Sequence, residues 1–374
     1  MLAALFWVSA GLIVYTHLGY PLALRGLLAL RRRPTLEPGT WEELPRVSLI
    51  VAAYDEEEVI EAKVANALAL GYPRERLELI VASDGSNDAT AERARAAGAD
   101  LVLELPRGGK IVAQNAAAER ASGEILAFSD ANSVWQPDAL RHLLEPFADP
   151  AIGYACGQVR FLDSTGDNLE GAYWRYEMKV REMESALAGV TAGNGAIYAV
   201  RASAYVPLPP SGSHDLSFPF QLAKRGKRSL YVPWARAEEK MVPTMEGEFA
   251  RKRRMMVGLW DIVVGERMIS PRGYKSLYAF ELFSHRLLRY LTPFLHPLAF
   301  VANLLLLDQG WVYVVTYGIQ LVAIAAAILG GQFRIAPFRI ARYYALTTLS
   351  IAAGLWDRFR HGRPAAWEKA PGTR

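Results

Sequence analysis

Glu124-Ile125-Leu126-Ala127-Phe128-Ser129-Asp130-Ala131-Asn132 is a short apolar run that ends on two oxygen-bearing side chains. The run reads as a strand, and Asp130 and Asn132, at i and i+2 of an extended stretch, face the same way. Such a pair can hold a divalent ion together with the diphosphate that the ion neutralises, with Asn the weaker ligand because it offers only a neutral carbonyl oxygen. The same two residues can also cap the helix expected after Pro137.

Working outward, strand and helix patterns alternate. Val47 to Ala53 is a β-rich apolar run, and the carboxylates of Asp55-Glu56-Glu57-Glu58 favour the first turn of a helix reaching Leu70. Leu77 to Ala82 follows as strand, Asp88 to Ala97 as helix, Asp100 to Leu103 as strand and Lys110 to Ala121 as helix. Repeated βα units predict an α/β fold with a mostly parallel sheet covered by helices, and functional loops beyond the carboxyl ends of its strands. From 150 to 255 the pattern is less regular: a strand at Tyr154 to Phe161, a helix from Leu169 to Leu187, the turn Gly193-Asn194-Gly195 and a strand at Ala196 to Val200.

Of the 374 residues, 52% are hydrophobic, and the excess is local. Segments 1–24, 290–307 and 309–333 contain no Lys, Arg, Asp or Glu. The net charge of +4 collects beside these segments, in Arg31-Arg32-Arg33 and Arg251-Lys252-Arg253-Arg254. Basic residues there suit anionic membrane lipid on the cytoplasmic side, so membrane lipids and not nucleic acid are the expected partners. The first segment lacks the basic start and the cleavage site of a secretory signal and reads as a retained span. Cys156, the single cysteine, excludes an intrachain disulfide and Cys-rich zinc sites.

These features divide the chain into a transmembrane segment (1–30), a connector (31–45), a cytoplasmic catalytic domain (46–265), an interfacial helix region (266–289), a membrane region of two or three spans (290–356) and a basic tail (357–374). Tyr343 to Trp356 is short for a span, and either an embedded or a spanning helix satisfies its flanking charges.

Other strand ends also carry polar groups. In Ser83-Asp84-Gly85-Ser86-Asn87-Asp88 a carboxylate can accept hydrogen bonds from a base or ribose, or the residues can cap a helix. Arg107-Gly108-Gly109-Lys110 can place an Arg fork and a Lys point charge on a diphosphate, without the glycine spacing of a P-loop. Asp215, beside His214, could take a proton from a sugar hydroxyl, or cap the helix from Leu216 to Lys224.

In this order the motifs resemble glycosyltransferase family 2, in its membrane-associated bacterial group with a GT-A domain. Val51 to Glu57 resembles the family's opening strand and Tyr-Asn-Glu-Glu element, with Asp55 for Asn, and this implies donor contacts at Ala53, Tyr54 and Glu56. Ser83-Asp84-Gly85-Ser86 resembles Asp-Asp-Gly-Ser, which gives Asp84 a contact to the donor base. Gly109-Lys110, Asn115 and Gly123-Glu124-Ile125 match the run leading to the family's Asp-x-Asp motif. Asp130 takes the first acidic position of that motif and Asn132 the second, implying a Mg²⁺ or Mn²⁺ cofactor at this pair and a phosphate contact from Lys110. Asp215 matches the general base of inverting members, with His214 where an acid usually precedes it. Arg254 alone fits the Gln-x-x-Arg-Trp motif of processive synthases. Thr191 to Ala196 resembles the acceptor-side turn, implying acceptor contacts at Gly193, Asn194 and His214.

The resemblance implies an inverting, multi-pass glycosyltransferase of the bacterial inner membrane with its catalytic domain in the cytoplasm. A nucleotide sugar, expected to be a UDP-sugar, would be the donor, and a lipid-linked glycan or surface polysaccharide the acceptor. A processive polysaccharide synthase is the alternative, followed by a non-catalytic sugar-binding scaffold.

Overall fold

The computed structural model describes residues 1–30, 41–162, 169–240, 245–333 and 335–362, and for 169–173 the backbone alone. Arg31-Arg32-Arg33, most of the connector and the tail beyond 362 lie outside the described residues.

The chain opens with α1 (Leu2–Val14) and α2 (Tyr20–Leu30), joined through a π-helical turn at Tyr15–Gly19. The βα repeat follows as β1 (Val47–Ala53), α3 (Ile60–Leu68), β2 (Leu77–Asp84), α4 (Thr90–Ala96), β3 (Leu101–Leu105), α5 (Lys110–Arg120) and β4 (Ile125–Asp130). The next elements are β5 (Val134–Trp135), α6 (Ala139–Leu144), β6 (Ile152–Leu162), α7 (Leu169–Leu187), β7 (Ile197–Arg201), α8 (His214–Lys224), β8 (Arg228–Lys240) and α9 (Met245–Val257). The chain closes with α10 (Ser276–Glu281), α11 (Leu288–Leu304), α12 (Trp311–Leu329) and α13 (Ala336–His361).

The eight strands of the described residues form one sheet in the order β3-β2-β1-β4-β7-β6-β8-β5. The first four are parallel, while β7 runs antiparallel between β4 and β6. Every residue of β1 is buried, as expected of a strand covered on both faces. The chain enters β4 through Gly123, whose N–H donates to Ser48 Oγ (2.8 Å). A side chain at 123 would overlap the Ser48 backbone.

The sequence patterns place most of these elements to within a few residues; β5 and α9 have no counterpart in them, and two further departures have a physical reason. The acidic run after β1 is a loop: Asp55 has φ +49 and the helix begins only at Ile60. β8 has no counterpart in the expected pattern, because Pro233 interrupts an otherwise strand-like sequence. Its pairing with β6 shifts register between Cys156 and Gln158, a bulge that accommodates Pro233.

Among the described residues two helices are long and apolar enough to cross a membrane, Leu2–Leu30 and Trp311–Leu329. The segment 290–307 forms the Pro-interrupted α11, and Tyr343 to Trp356 lies inside the 26-residue α13. α13 packs on α9, where Asp357 accepts two hydrogen bonds from Arg253 (2.6 Å each) and Lys252 reaches Tyr343 Oη (2.7 Å). Inside the protein, the fully buried Glu184 of α7 accepts from Tyr20 Oη of α2 (2.7 Å), from the Thr191 N–H (3.2 Å) and from the His285 ring (2.6 Å).

Gly123→Ala should cost about 2 kcal/mol or more of stability by forcing β1 and β4 apart. A lowered thermal midpoint of the purified variant would show it, and an unchanged midpoint would refute the close packing.

Candidate functional site

The carboxyl ends of β1, β2 and β4 lie at one edge of the sheet because these neighbouring strands are parallel and in register, Ala52 opposite Asp130 and Ala53 opposite Ser83. Loops from those ends carry Tyr54 and Glu56, Asp84, and Asp130 with Asn132. α5 begins beside them with Lys110, after a left-handed Gly109 (φ +95).

Asp84 is buried and already committed. Its carboxylate accepts the N–H groups of Gly108 (2.7 Å) and Gly109 (2.9 and 3.0 Å) and pairs with Arg107. In this structure Asp84 shapes the 107–109 turn and aims Arg107. The Arg107 guanidinium lies over the Tyr54 ring, 3.2 Å from its centroid, so a flat cationic and aromatic surface stands at this end of the site. Glu56 is buried, its N–H donating to Thr90 Oγ1 (2.7 Å), which ties the loop after β1 to α4. Ala53 ends β1 beneath it.

At the other end Lys110 forms an ion pair with Asp130. Burial alone would lower the Lys110 ammonium, but Asp130, with smaller contributions from Asp215 and Glu239, raises it above the ordinary lysine range. Lys110, Asp130, Asp215 and Glu239 thus share one electrostatic neighbourhood. Asp215 lies in the first turn of α8, where the positive helix end favours a carboxylate, and accepts from Ser213 Oγ. Its backbone oxygen accepts the Gly193 N–H (2.7 Å), which fixes the 191–195 turn to the start of α8.

The three residues expected on the acceptor side, Gly193, Asn194 and His214, are closely packed in this structure. A side chain at Gly193 would collide with the Tyr154 hydroxyl, so that glycine serves the core. Asn194 is buried and brackets the turn, donating to the Gly157 carbonyl and accepting from the Ile197 N–H (3.0 Å). His214 is buried among Phe128, Tyr198, Tyr205 and Phe218, its Nδ1 against Tyr198 Oη (2.6 Å), and burial followed by the charge of Lys110 holds it neutral, well below the ordinary histidine range. Gly195 is the member of the turn that meets the site, where an added Cβ would stand 3.5 Å from Lys110 Nζ. Arg254 is elsewhere too: it lines a cleft between α9 and α13 with Phe249, Asp357 and His361, and none of the loop-end residues borders that cleft.

Two site residues lay outside the sequence reading. Lys63 of α3 is buried beneath the Asp130 loop, donates to the Ser133 carbonyl (2.7 Å) and faces the Trp135 ring. Burial pulls its ammonium down to about 7, against the opposing pull of Asp130 and Glu239. A signal existed: Lys63 interrupts the apolar stripe Ile60, Val64, Ala67. Glu239, near the end of β8, is raised to about 7 by burial and then by Asp130. Its signal would have been Glu238-Glu239 closing a strand, had β8 been recognised.

The family model described as glycosyl transferase family 2 matches residues 48–203, the stretch from β1 through β7 that holds Asp84, Lys110 and Asp130. Residues 48–203 thus match a family 2 glycosyltransferase domain. Among curated relatives, poly-beta-1,6-N-acetyl-D-glucosamine synthase of Staphylococcus aureus is 25% identical over 250 residues, covering 63% of this chain and 59% of that protein. The chain therefore spans about three fifths of the length of that relative. Glycosyltransferase AglE of Haloferax volcanii is 28% identical over 135 residues, 35% of this chain and 44% of its own length. Among solved structures, the mannosyltransferase PcManGT from Pyrobaculum calidifontis, in complex with GDP-Man and Mn²⁺, superposes with a TM-score of 0.73 at 24% identity, over 96% of this chain and 100% of that one. The family 2 domain thus has the expected GT-A fold, and the likeness extends along the helices that flank it.

The neutral His214 gives the domain a defined acid response. A histidine held below its unfolded value of 6.5 contributes stability that is complete above that pH and lost as pH falls, by about 1.4 kcal/mol per unit. His214→Phe should flatten the fall in thermal midpoint between pH 6.5 and 5, since Tyr198 Oη keeps its bond from Gln114. An unchanged slope would assign the acid response to other groups.

Proposed function

We propose that the chain transfers a sugar, with inversion, from a nucleoside diphosphate sugar to a hydroxyl of a lipid-linked glycan or surface polysaccharide. The observation that carries this reading is the convergence of Asp215 on the Lys110–Asp130 pair, which gathers a base, a phosphate-binding cation and a ligand carboxylate in one neighbourhood. UDP is the expected nucleotide, and the likeness to a GDP-Man enzyme makes GDP the first comparison.

Tyr54 and Arg107 receive the base, and Lys110 meets the diphosphate. Oxygen ligands on a loop beside a phosphate-binding lysine fit a hard divalent cation. Asp130 with Asn132 would hold Mg²⁺ or Mn²⁺, whose charge neutralises the diphosphate as leaving group. Asp215 takes the proton of the acceptor hydroxyl. The acceptor oxygen then bonds to the anomeric carbon while the bond from that carbon to the diphosphate oxygen breaks, its electron pair departing with the nucleoside diphosphate. A single displacement inverts the anomeric centre.

Leu2–Leu30 and Trp311–Leu329 support residence in the cell membrane, and the basic α9 supports a cytoplasmic site. A second reading, processive synthesis, draws on the likeness to the S. aureus synthase. Product length with one donor separates the two, since products lengthened by a single sugar would exclude processivity.

Asp215→Asn should lower turnover about a thousandfold while nucleotide binding stays within about twofold of the wild type, because the change removes the base and leaves the donor groups in place. Near-normal turnover in a purified assay would overturn the assignment of Asp215.

A further inference from the structure

At the second ligand position of its cation loop this chain has Asn132, which brings no charge. The sheet brings another carboxylate, Glu239, alongside this loop. β5 pairs antiparallel with β8 through Val134 with Glu238 and Trp135 with Ala237, a register that carries Glu239 to the level of Ser133, the residue after Asn132. Oε1 of Glu239 is buried and has no hydrogen-bond partner. A buried carboxylate oxygen without a partner is costly, and a ligand missing from the site is one of the few reasons a native fold keeps one. The neighbouring protein cations are engaged elsewhere: Lys63 on the Ser133 carbonyl, Lys110 on Asp130 and Arg251 on Glu248.

We propose that Glu239 is the second carboxylate of the cation site, supplying from β8 the charge that Asn132 leaves out of the loop. The proposal rests on the functional reading above and adds to it a ligand from a different element. Among the described residues no three His, Cys, Asp or Glu side chains are grouped to hold a metal. The proposed site is two carboxylates, Asp130 and Glu239, completed by the oxygens of the nucleoside diphosphate, a division of ligands usual for Mg²⁺ and Mn²⁺. Cation uptake then requires the nucleotide.

The test uses the full chain in detergent and reads bound Mn²⁺ from loss of the free-ion electron paramagnetic resonance signal, with UDP or GDP present and with neither. Wild type should bind Mn²⁺ only with a nucleotide. Glu239→Gln should weaken that uptake about tenfold or more while cation-free nucleotide affinity stays within about twofold. Adding Asn132→Asp to Glu239→Gln should recover most of the lost affinity, a rescue that a folding defect would not show. Glu239→Gln with wild-type Mn²⁺ affinity overturns the proposal, as does a variant whose nucleotide binding falls equally with and without the cation, or a double variant that recovers nothing. A wild-type chain that takes up no Mn²⁺ with either nucleotide overturns the cation reading of Asp130 as well.

Discussion

Glu184 has no solvent to stabilise its charge, and that single constraint organises the protein around it. A buried carboxylate is tolerated only where donors surround it, because several kcal/mol of lost hydration must be recovered. The donors come from three places far apart in sequence: Tyr20 near the amino terminus, His285 in the π-helical segment before α11, and Thr191 at the head of the turn that leads to Gly193. Since the Gly193 N–H holds the backbone of Asp215, the position of the expected base depends on how the apolar helices seat against α7. These helices are thus part of the scaffold of the candidate site.

Legibility in the sequence followed the physics of each element. β1, β2 and β4 were readable because both faces are covered, which leaves an uninterrupted apolar run with polar residues at its carboxyl end. Helix α7 was readable through its mixed periodicity. β8 was not, because a proline within a strand imitates a loop and is compatible with pairing only through a bulge, whose existence depends on β6. The start of α3 was misjudged because acidic residues after a strand suit a helix's first turn as well as they suit a loop, and the tie from Asp55 Oδ1 to the Asn87 N–H decided for the loop.

The site followed the same division. Asp130, Lys110 and Asp215 stand out in the sequence because they sit at strand or helix ends against apolar surroundings, and the structure pairs Lys110 with Asp130. What each one touches was not legible. Asp84 has the right type and position for a ligand contact, yet two glycine N–H groups and an arginine consume its oxygens. Gly193 and Asn194 suggested openness, and the partners that close them, Tyr154 and Gly157, lie on β6, a strand that only the folded sheet brings near. Glycine and asparagine in a turn look alike whether the space beside them is filled by a ligand or by the protein.

The stack of Arg107 on Tyr54 has a consequence for the economy of binding. Aromatic surface that is already covered gives an incoming base little new desolvation, since the base either exchanges with the guanidinium or rests on its outer face. On the proposed reaction, donor binding would then draw chiefly on the diphosphate, the portion of the donor that changes charge as the sugar departs. An enzyme that grips its donor chiefly by the leaving group spends its binding interactions where they strengthen along the reaction coordinate, and it discriminates among nucleotides by shape and hydrogen bonding at the rim more than by depth of stacking.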